Sequence, residues 1–297
     1  MREVKIISIG QTKVGEHWER SLRDLALESM RAALKEAGLE EVEALYVGNM
    51  LSGELARQEH LATLLADFAG LRGVEAVKVE AAEASGAAAV RMGYLAVAGG
   101  IHDLVMVTGV EKTSDADNGL VAEALALASD GEYEAIHGLS STALNALLMR
   151  RYIYQYGVKQ EDFAGFAINA HQNATHNPHA MLPRPINLEA FKEARMVADP
   201  VNLLDCAPLG DGAATIILSS EGNMSPRPVK IVASALSTDS LALHDREEPL
   251  FLKAARDSSQ KAYHQAGVGP EDIGLFELHD SFTILGYPIS ESADFVL

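Results

Sequence analysis

The sequence holds one cysteine, Cys206, and one tryptophan in 297 residues. A single thiol excludes an intrachain disulfide framework and the small secreted scaffolds that depend on one. A reducing, cytoplasmic setting is therefore expected. Basic residues are also scarce: 24 Lys and Arg stand against 42 Asp and Glu, a formal net charge of −18. Such a surface repels nucleic acid and anionic lipid, so neither a nucleic-acid nor a membrane partner is expected. No apolar run is long enough to span a bilayer. The start, Met1-Arg2-Glu3-Val4-Lys5, runs directly into a strand-like stretch and is read as carrying no signal peptide. His171, His176 and His179 lack the cysteine spacing of a zinc site, so no metal site is expected. The Gly-rich runs match neither a phosphate-binding loop nor a dinucleotide fingerprint.

What is present suits a soluble α/β chain: 48% hydrophobic and 22% charged residues. Residues 4–9 read as a strand, and residues 21–37 as a helix with Leu22, Leu25, Ala26, Met30, Ala33 and Leu34 on one face. Ser21 and Asp24 make a capping-box start, and Gly38 a stop. Strands are read at 44–47, 74–79 and 104–107, and a helix at 60–68. The uncharged small-residue stretch 85–98 predicts a helix buried on all sides. This alternation predicts a mostly parallel, layered α/β sheet. Strand signals vanish between 113 and 202, which reads as an inserted lobe of helices and long loops. A strand follows at 215–218, then a linker at 222–228. A second copy then begins: a strand at 230–233, a helix at 250–266, Gly267, and a strand at 274–278. The offset between copies is about 230 residues, too long for a solenoid. The expected domains are an N-terminal half (1–112 with 203–222), an inserted helical loop domain (113–202) and an incomplete second half (223–297).

Three segments carry candidate chemistry. Glu83, in Glu80-Ala81-Ala82-Glu83-Ala84-Ser85-Gly86, falls between a strand and a helix start. There it either caps the helix or faces the positive end of the dipole, where nucleophiles and anions are favoured. His279-Asp280-Ser281-Phe282 follows a predicted strand, a place where α/β proteins build sites; His279 is a candidate acid, base or donor, or the quartet is an ordinary cap. Asp205-Cys206-Ala207-Pro208 precedes the glycine loop Gly210-Asp211-Gly212. Cys206 has no helix start or base beside it and reads as a structural thiol.

Taken together these motifs resemble the thiolase superfamily, in particular its archaeal and sterol-carrier-protein types, over nearly the whole chain. The run Glu80 to Gly86 is similar to that family's Glu-Ala-Ala-Cys-Ala-Ser-Gly turn, with Glu83 at the position of the nucleophilic cysteine. Met196 to Pro200, Asp205 to Pro208, Asp211 to Ala214, Thr238-Asp239, Leu243-His244-Asp245 and His279 to Phe282 fit the same branch. The resemblance implies duplicated α/β halves in a layered α-β-α arrangement with an inserted loop domain, the second half incomplete. It implies coenzyme A thioesters as substrate or ligand, with no covalently bound cofactor. It implies an oxyanion-hole role for His279. The family's Gly-His-Pro and Cys-x-Gly turns are expected to be absent; Gly286-Tyr287-Pro288 comes too early in the fold to replace the first. Clustered cations Arg184, Lys192 and Arg195 are candidates for the coenzyme A phosphates, or a solvated face. Expected assemblies are a homodimer or dimer of dimers, with a small OB-fold, zinc-ribbon partner or a chain supplying the missing half.

A carboxylate attacking a thioester would form an anhydride, whereas a thiolate forms another thioester. The expectation is therefore a thiolase-like protein deficient in acyl transfer and kept as a coenzyme A-thioester-binding or scaffold subunit. The alternatives are a partner-completed decarboxylase or retro-aldolase using Glu83 and His279, or an acetyl-CoA acetyltransferase truncated or altered at its nucleophile.

Overall fold

In the computed structural model residues 2–221 and 225–295 are described; residues 222–224 of the expected linker and residues 296–297 of the expected second half lie outside them. The chain divides into two units, residues 1–124 with 209–234, and residues 125–208 with 235–297.

The first unit is built on strands whose alternating side chains have two apolar faces to cover. Its strands are β1 (Lys5–Gln11), β2 (Ala44–Gly48), β3 (Glu75–Val79), β4 (Leu104–Glu111), β7 (Gly212–Ser219) and β8 (Val229–Lys230), in the order β3-β2-β4-β7-β1-β8. Leu45, Val47, Met106 and Ile217 point to one face, under α1 (Leu22–Ala37) and α2 (Leu61–Ala69). Ala44, Tyr46, Val105, Val107 and Leu218 point to the other, under α3 (Ser85–Gly99). This is the period-two alternation of strands read out as two cores. Helix α1 starts and stops as its sequence predicts: Ser21 and Asp24 form the capping box, and Gly38 takes the left-handed conformation, φ 66°.

Two expectations are corrected here. The sheet is mixed rather than mostly parallel: β2 pairs in parallel with β3 and β4, but β7 runs antiparallel to both β4 and β1. The reason is topological. The chain leaves β4 at Glu111 and re-enters β7 at Gly212, and these residues are paired with each other; an excursion that returns to the end it left gives an antiparallel neighbour. Helix α3 is not buried on all sides. Met92 and Leu95 are 43% and 38% exposed, because only one side of the helix packs on the sheet. That packing is close: a Cβ on Gly93 would meet Val107 Cγ2 at 2.7 Å.

The second unit is mainly helical. It contains α5 (Ser141–Tyr156), α6 (Ala164–Ala174), α7 (Leu188–Lys192), α8 (Lys253–Ala266), α9 (Thr283–Ser292) and a two-stranded ribbon of β5 (Met196–Ala198) and β6 (Val201–Asn202), while α4 (Asn118–Ala126) carries the chain into it. Its core gathers Met149, Tyr152, Phe163, Val201, Phe282 and Ile284. The ribbon is a strand signal that composition concealed. The strand expected at 230–233 forms only as the two-residue β8, and residues 274–278 carry no regular secondary structure. An apolar segment becomes a strand only beside another that takes its N–H and C=O groups, and among the described residues none flanks 274–278. Leu275 is 79% exposed there. Among the described residues no helix is long and apolar enough to cross a membrane.

The insertion is rooted by a buried carboxylate. Asp211 Oδ1 accepts from the N–H groups of Thr113 (2.8 Å) and Ser114 (3.0 Å). Its Oδ2 accepts from His17 N–H (2.9 Å), the Ser114 hydroxyl (2.5 Å) and Lys112 Nζ (3.2 Å). Burial alone would lift this carboxyl, but the hydrogen bonds from Ser114, His17 and Thr113 hold it well below the usual carboxylate range. Asp211→Asn removes the charge facing buried Lys112 and half of the acceptors, and is expected to cost about 3 kcal/mol in urea unfolding at pH 7. The folded carboxyl titrates below the unfolded one, so this stabilisation is complete above about pH 4 and is lost as the pH falls through the folded value. The stabilities of wild type and variant should converge in acid; parallel curves down to pH 2 would contradict this assignment.

Candidate functional site

Glu83 stands on a turn between the end of β3 at Val79 and the start of α3 at Ser85. The turn is locked by its own backbone and by one hydroxyl. Ala84 N–H donates to Ala81 O (2.9 Å) and Ser85 N–H to Ala82 O (3.1 Å). The Ser85 hydroxyl donates to Ala82 O (2.5 Å) and accepts from Ala81 N–H (2.9 Å), while the Glu80 carboxylate accepts from Ala82 N–H. Ala82, immediately before Glu83, is held at φ 49°, a left-handed conformation that costs a residue with a Cβ about 1 kcal/mol. Gly48, at the end of β2, lies so close beneath the helix start that a Cβ there would meet Gly86 Cα at 2.7 Å. Glu83 itself is exposed. The N-cap of α3 is Ala84, which has no side-chain cap, so the positive end of the helix dipole faces the turn that carries the Glu83 carboxylate.

In the second unit, His279 is exposed and Asp280 half-buried on the irregular chain leading into α9. Burial pushes the Asp280 carboxyl up; Glu277 adds to this, while its own N–H and His279 oppose it. This chain is fastened from the 202–207 loop. Asp205, 1% exposed, accepts from the Thr283 hydroxyl through Oδ1. Its Oδ2 accepts from Gln160 Nε2 (2.9 Å) and Asn202 N–H (2.8 Å). Asn202 returns the bond, its Oδ1 accepting from Asp205 N–H (3.1 Å). Cys206 forms an antiparallel bridge with Phe282, and Ala207 N–H donates to Ser281 O (2.9 Å). The Cys206 thiol is pushed up to about 11 by burial and by Asp205, so it stays protonated at neutral pH and is a poor nucleophile.

The three cations sit on the segment around α7. Arg184 is exposed, its carbonyl meeting His171 Nδ1 at 2.8 Å. Arg195 is exposed, and its carbonyl accepts from Leu203 N–H (2.8 Å). Lys192 is committed to Glu161 at 2.8 Å, a hydrogen bond that raises its pKa. Among the described residues no three His, Cys, Asp or Glu side chains converge to hold a metal. Sequence reasoning missed the clamp made by Asp205. Its signal was the spacing of Asn202 and Asp205, a capping-box pattern. The strain at Ala82 had no signal, since alanine is an ordinary residue elsewhere.

Burial, the largest influence on Asp205, raises its carboxyl against the hydrogen bonds from Thr283, Asn202 and Gln160. The stability it contributes is therefore greatest below the usual carboxylate pKa and declines as the pH rises through the raised value, the opposite sense to Asp211. Asp205→Ala is expected to cost about 2 kcal/mol and to raise hydrogen exchange in the 279–292 peptides. Asp205→Asn should flatten the pH dependence of that exchange between pH 4 and 7, and an unchanged profile would discard the clamp.

A family model for the thiolase N-terminal domain matches residues 4–222, and one described as thiolase C-terminal domain-like matches residues 235–297. The acetyl-CoA acetyltransferase of Methanothermobacter thermautotrophicus is 41% identical over 301 residues, covering 100% of this chain and 78% of that protein. Among solved structures, the Ltp2-ChsH2(DUF35) aldolase superposes with a TM-score of 0.84 at 27% identity, over 99% of this chain and 77% of that one. A monomeric SCP2-thiolase-like protein type 1 from Mycobacterium smegmatis shares the fold, with a TM-score of 0.76 at 18% identity over 99% of this chain and 63% of that one. With both family models matched in order and a relative this similar along its whole length, the chain belongs to the thiolase superfamily.

Proposed function

We propose that this protein binds coenzyme A thioesters without passing their acyl groups through a covalent intermediate on residue 83. The observation that carries this reading is the carboxylate of Glu83 on the locked turn ahead of α3, where the resemblance places a thiol. A thiolate exchanges one thioester for another at little cost, whereas a carboxylate would have to form an anhydride, which lies uphill. The one thiol of the chain, Cys206, is held protonated and cannot stand in. In this reading Arg184 and Arg195, which carry no ion pair among the described residues, meet the coenzyme A phosphates. Lys192 joins them only by leaving Glu161. A homodimer, or a second chain of the kind named with the Ltp2-ChsH2(DUF35) aldolase, completes the assembly.

A second reading is favoured by the likeness to that aldolase. Cleavage of a carbon–carbon bond next to a thioester carbonyl needs a base and stabilisation of an enolate oxygen, but no acyl-enzyme. Glu83 would serve as the base, and His279 would keep the oxyanion role that the resemblance implies.

Calorimetric titration with acetyl-CoA and acetoacetyl-CoA, with free thiol followed in the same samples, tests the first reading. Binding without thiol release is expected, and Arg184→Ala with Arg195→Ala should weaken it about tenfold. A stoichiometric burst of free coenzyme A from the wild type would sink the proposal, as would absence of binding. For the second reading, Glu83→Gln should abolish cleavage of a 3-hydroxyacyl-CoA; unchanged turnover would remove Glu83 from the chemistry.

A further inference from the structure

The second unit contains a cleft of about 310 Å³ that none of the candidate site residues lines. One wall is a single face of α5: Leu144, Leu147, Leu148 and Arg151, spaced i, i+3, i+4 and i+7. Leu148 is buried, and Leu147 is 54% exposed, on a helix that contributes Met149 and Tyr152 to the core. A cleft of this size with apolar walls and few polar groups has the profile of a small-molecule site.

The polar groups decide what kind of molecule fits. Glu134 lies in the wall, but its carboxylate is spent on the backbone: Oε1 accepts from Leu243 N–H (2.7 Å) and Oε2 from Asp130 N–H (3.1 Å). Arg151 Nε donates to the neutral side-chain oxygen of Gln155 at 3.2 Å, and among the described residues no carboxylate lies within ion-pair range of it. Its guanidinium therefore offers a fork of donors at one end of a leucine-lined cleft. His244, also in the lining, faces Asp245 at 3.5 Å. A guanidinium favours a carboxylate that it can grip with two bonds. From Leu144 to Arg151 the helix rises about 10 Å, the span of a medium-length alkyl chain. We propose that this cleft binds a free medium-chain carboxylic acid, its chain against the α5 leucines and its head on Arg151. The proposal does not rest on the reading of Glu83.

Titration of the full chain with sodium octanoate and with 1-octanol tests it. Octanoate should bind at one site per chain, about tenfold or more tighter than the alcohol. Arg151→Met keeps an apolar stem of similar length, changes only an exposed tip, and should bring octanoate down to the level of octanol. Leu147→Asp, at an exposed position, should weaken both. Equal affinity for octanoate and octanol, an Arg151→Met variant that binds octanoate as the wild type does, or no octanoate binding at all would each overturn the proposal.

Discussion

The buried Asp211 carboxylate is the constraint on which the architecture depends. It gathers the backbone of residues 17, 113 and 114 and the Lys112 ammonium around one charge. These groups belong to the loop after β1, the exit of β4 and the entry of β7. A long insertion can leave a sheet and return to the same edge only if its two ends are fixed together. Here a carboxylate with several donors does this in a place closed to water, where each bond counts for more than at the surface. The antiparallel β4–β7 pairing follows from it, and so does the continuity of the central sheet.

The sheet in turn sets the turn at Glu83. β3 lies at the edge of the sheet, paired in parallel to β2, and α3 must cross back over β2 closely enough that Gly48 and Gly86 nearly touch. The chain reverses within five residues, and one of them, Ala82, takes up the strain with a left-handed backbone. The Ser85 hydroxyl and Glu80 carboxylate hold the strained geometry in place. The consequence is an exposed carboxylate carried on a locked backbone turn at a helix N-terminus. Such a position suits binding and positioning; it does not turn a carboxylate into a thiolate.

Much of this was legible in the residues. The capping box at Ser21, the stop at Gly38 and the helix from Ser85 follow from local chemistry that tertiary packing did not need to override. The strand-turn-helix around Glu83 was equally plain. The Asp205 clamp was only half legible: its pairing with Asn202 is local, but its bonds to Gln160 and Thr283 span 45 and 78 residues. The expected strand at 274–278 failed for the same reason in reverse. Its apolar pattern is local, but a strand needs a neighbour, and pattern says nothing about whether one is present.

The sequence by itself determined the α/β class, the acidic charge balance, the ends of the main helices and the membership of the thiolase superfamily, because these rest on composition, short-range spacing and ordered motifs. Only the tertiary structure decided the antiparallel return of β7, the exposed side of α3, the strain at Ala82, the shielding of Cys206 and the cleft below Arg151. Each of these depends on which distant groups share a desolvated space, and a one-dimensional pattern does not encode that.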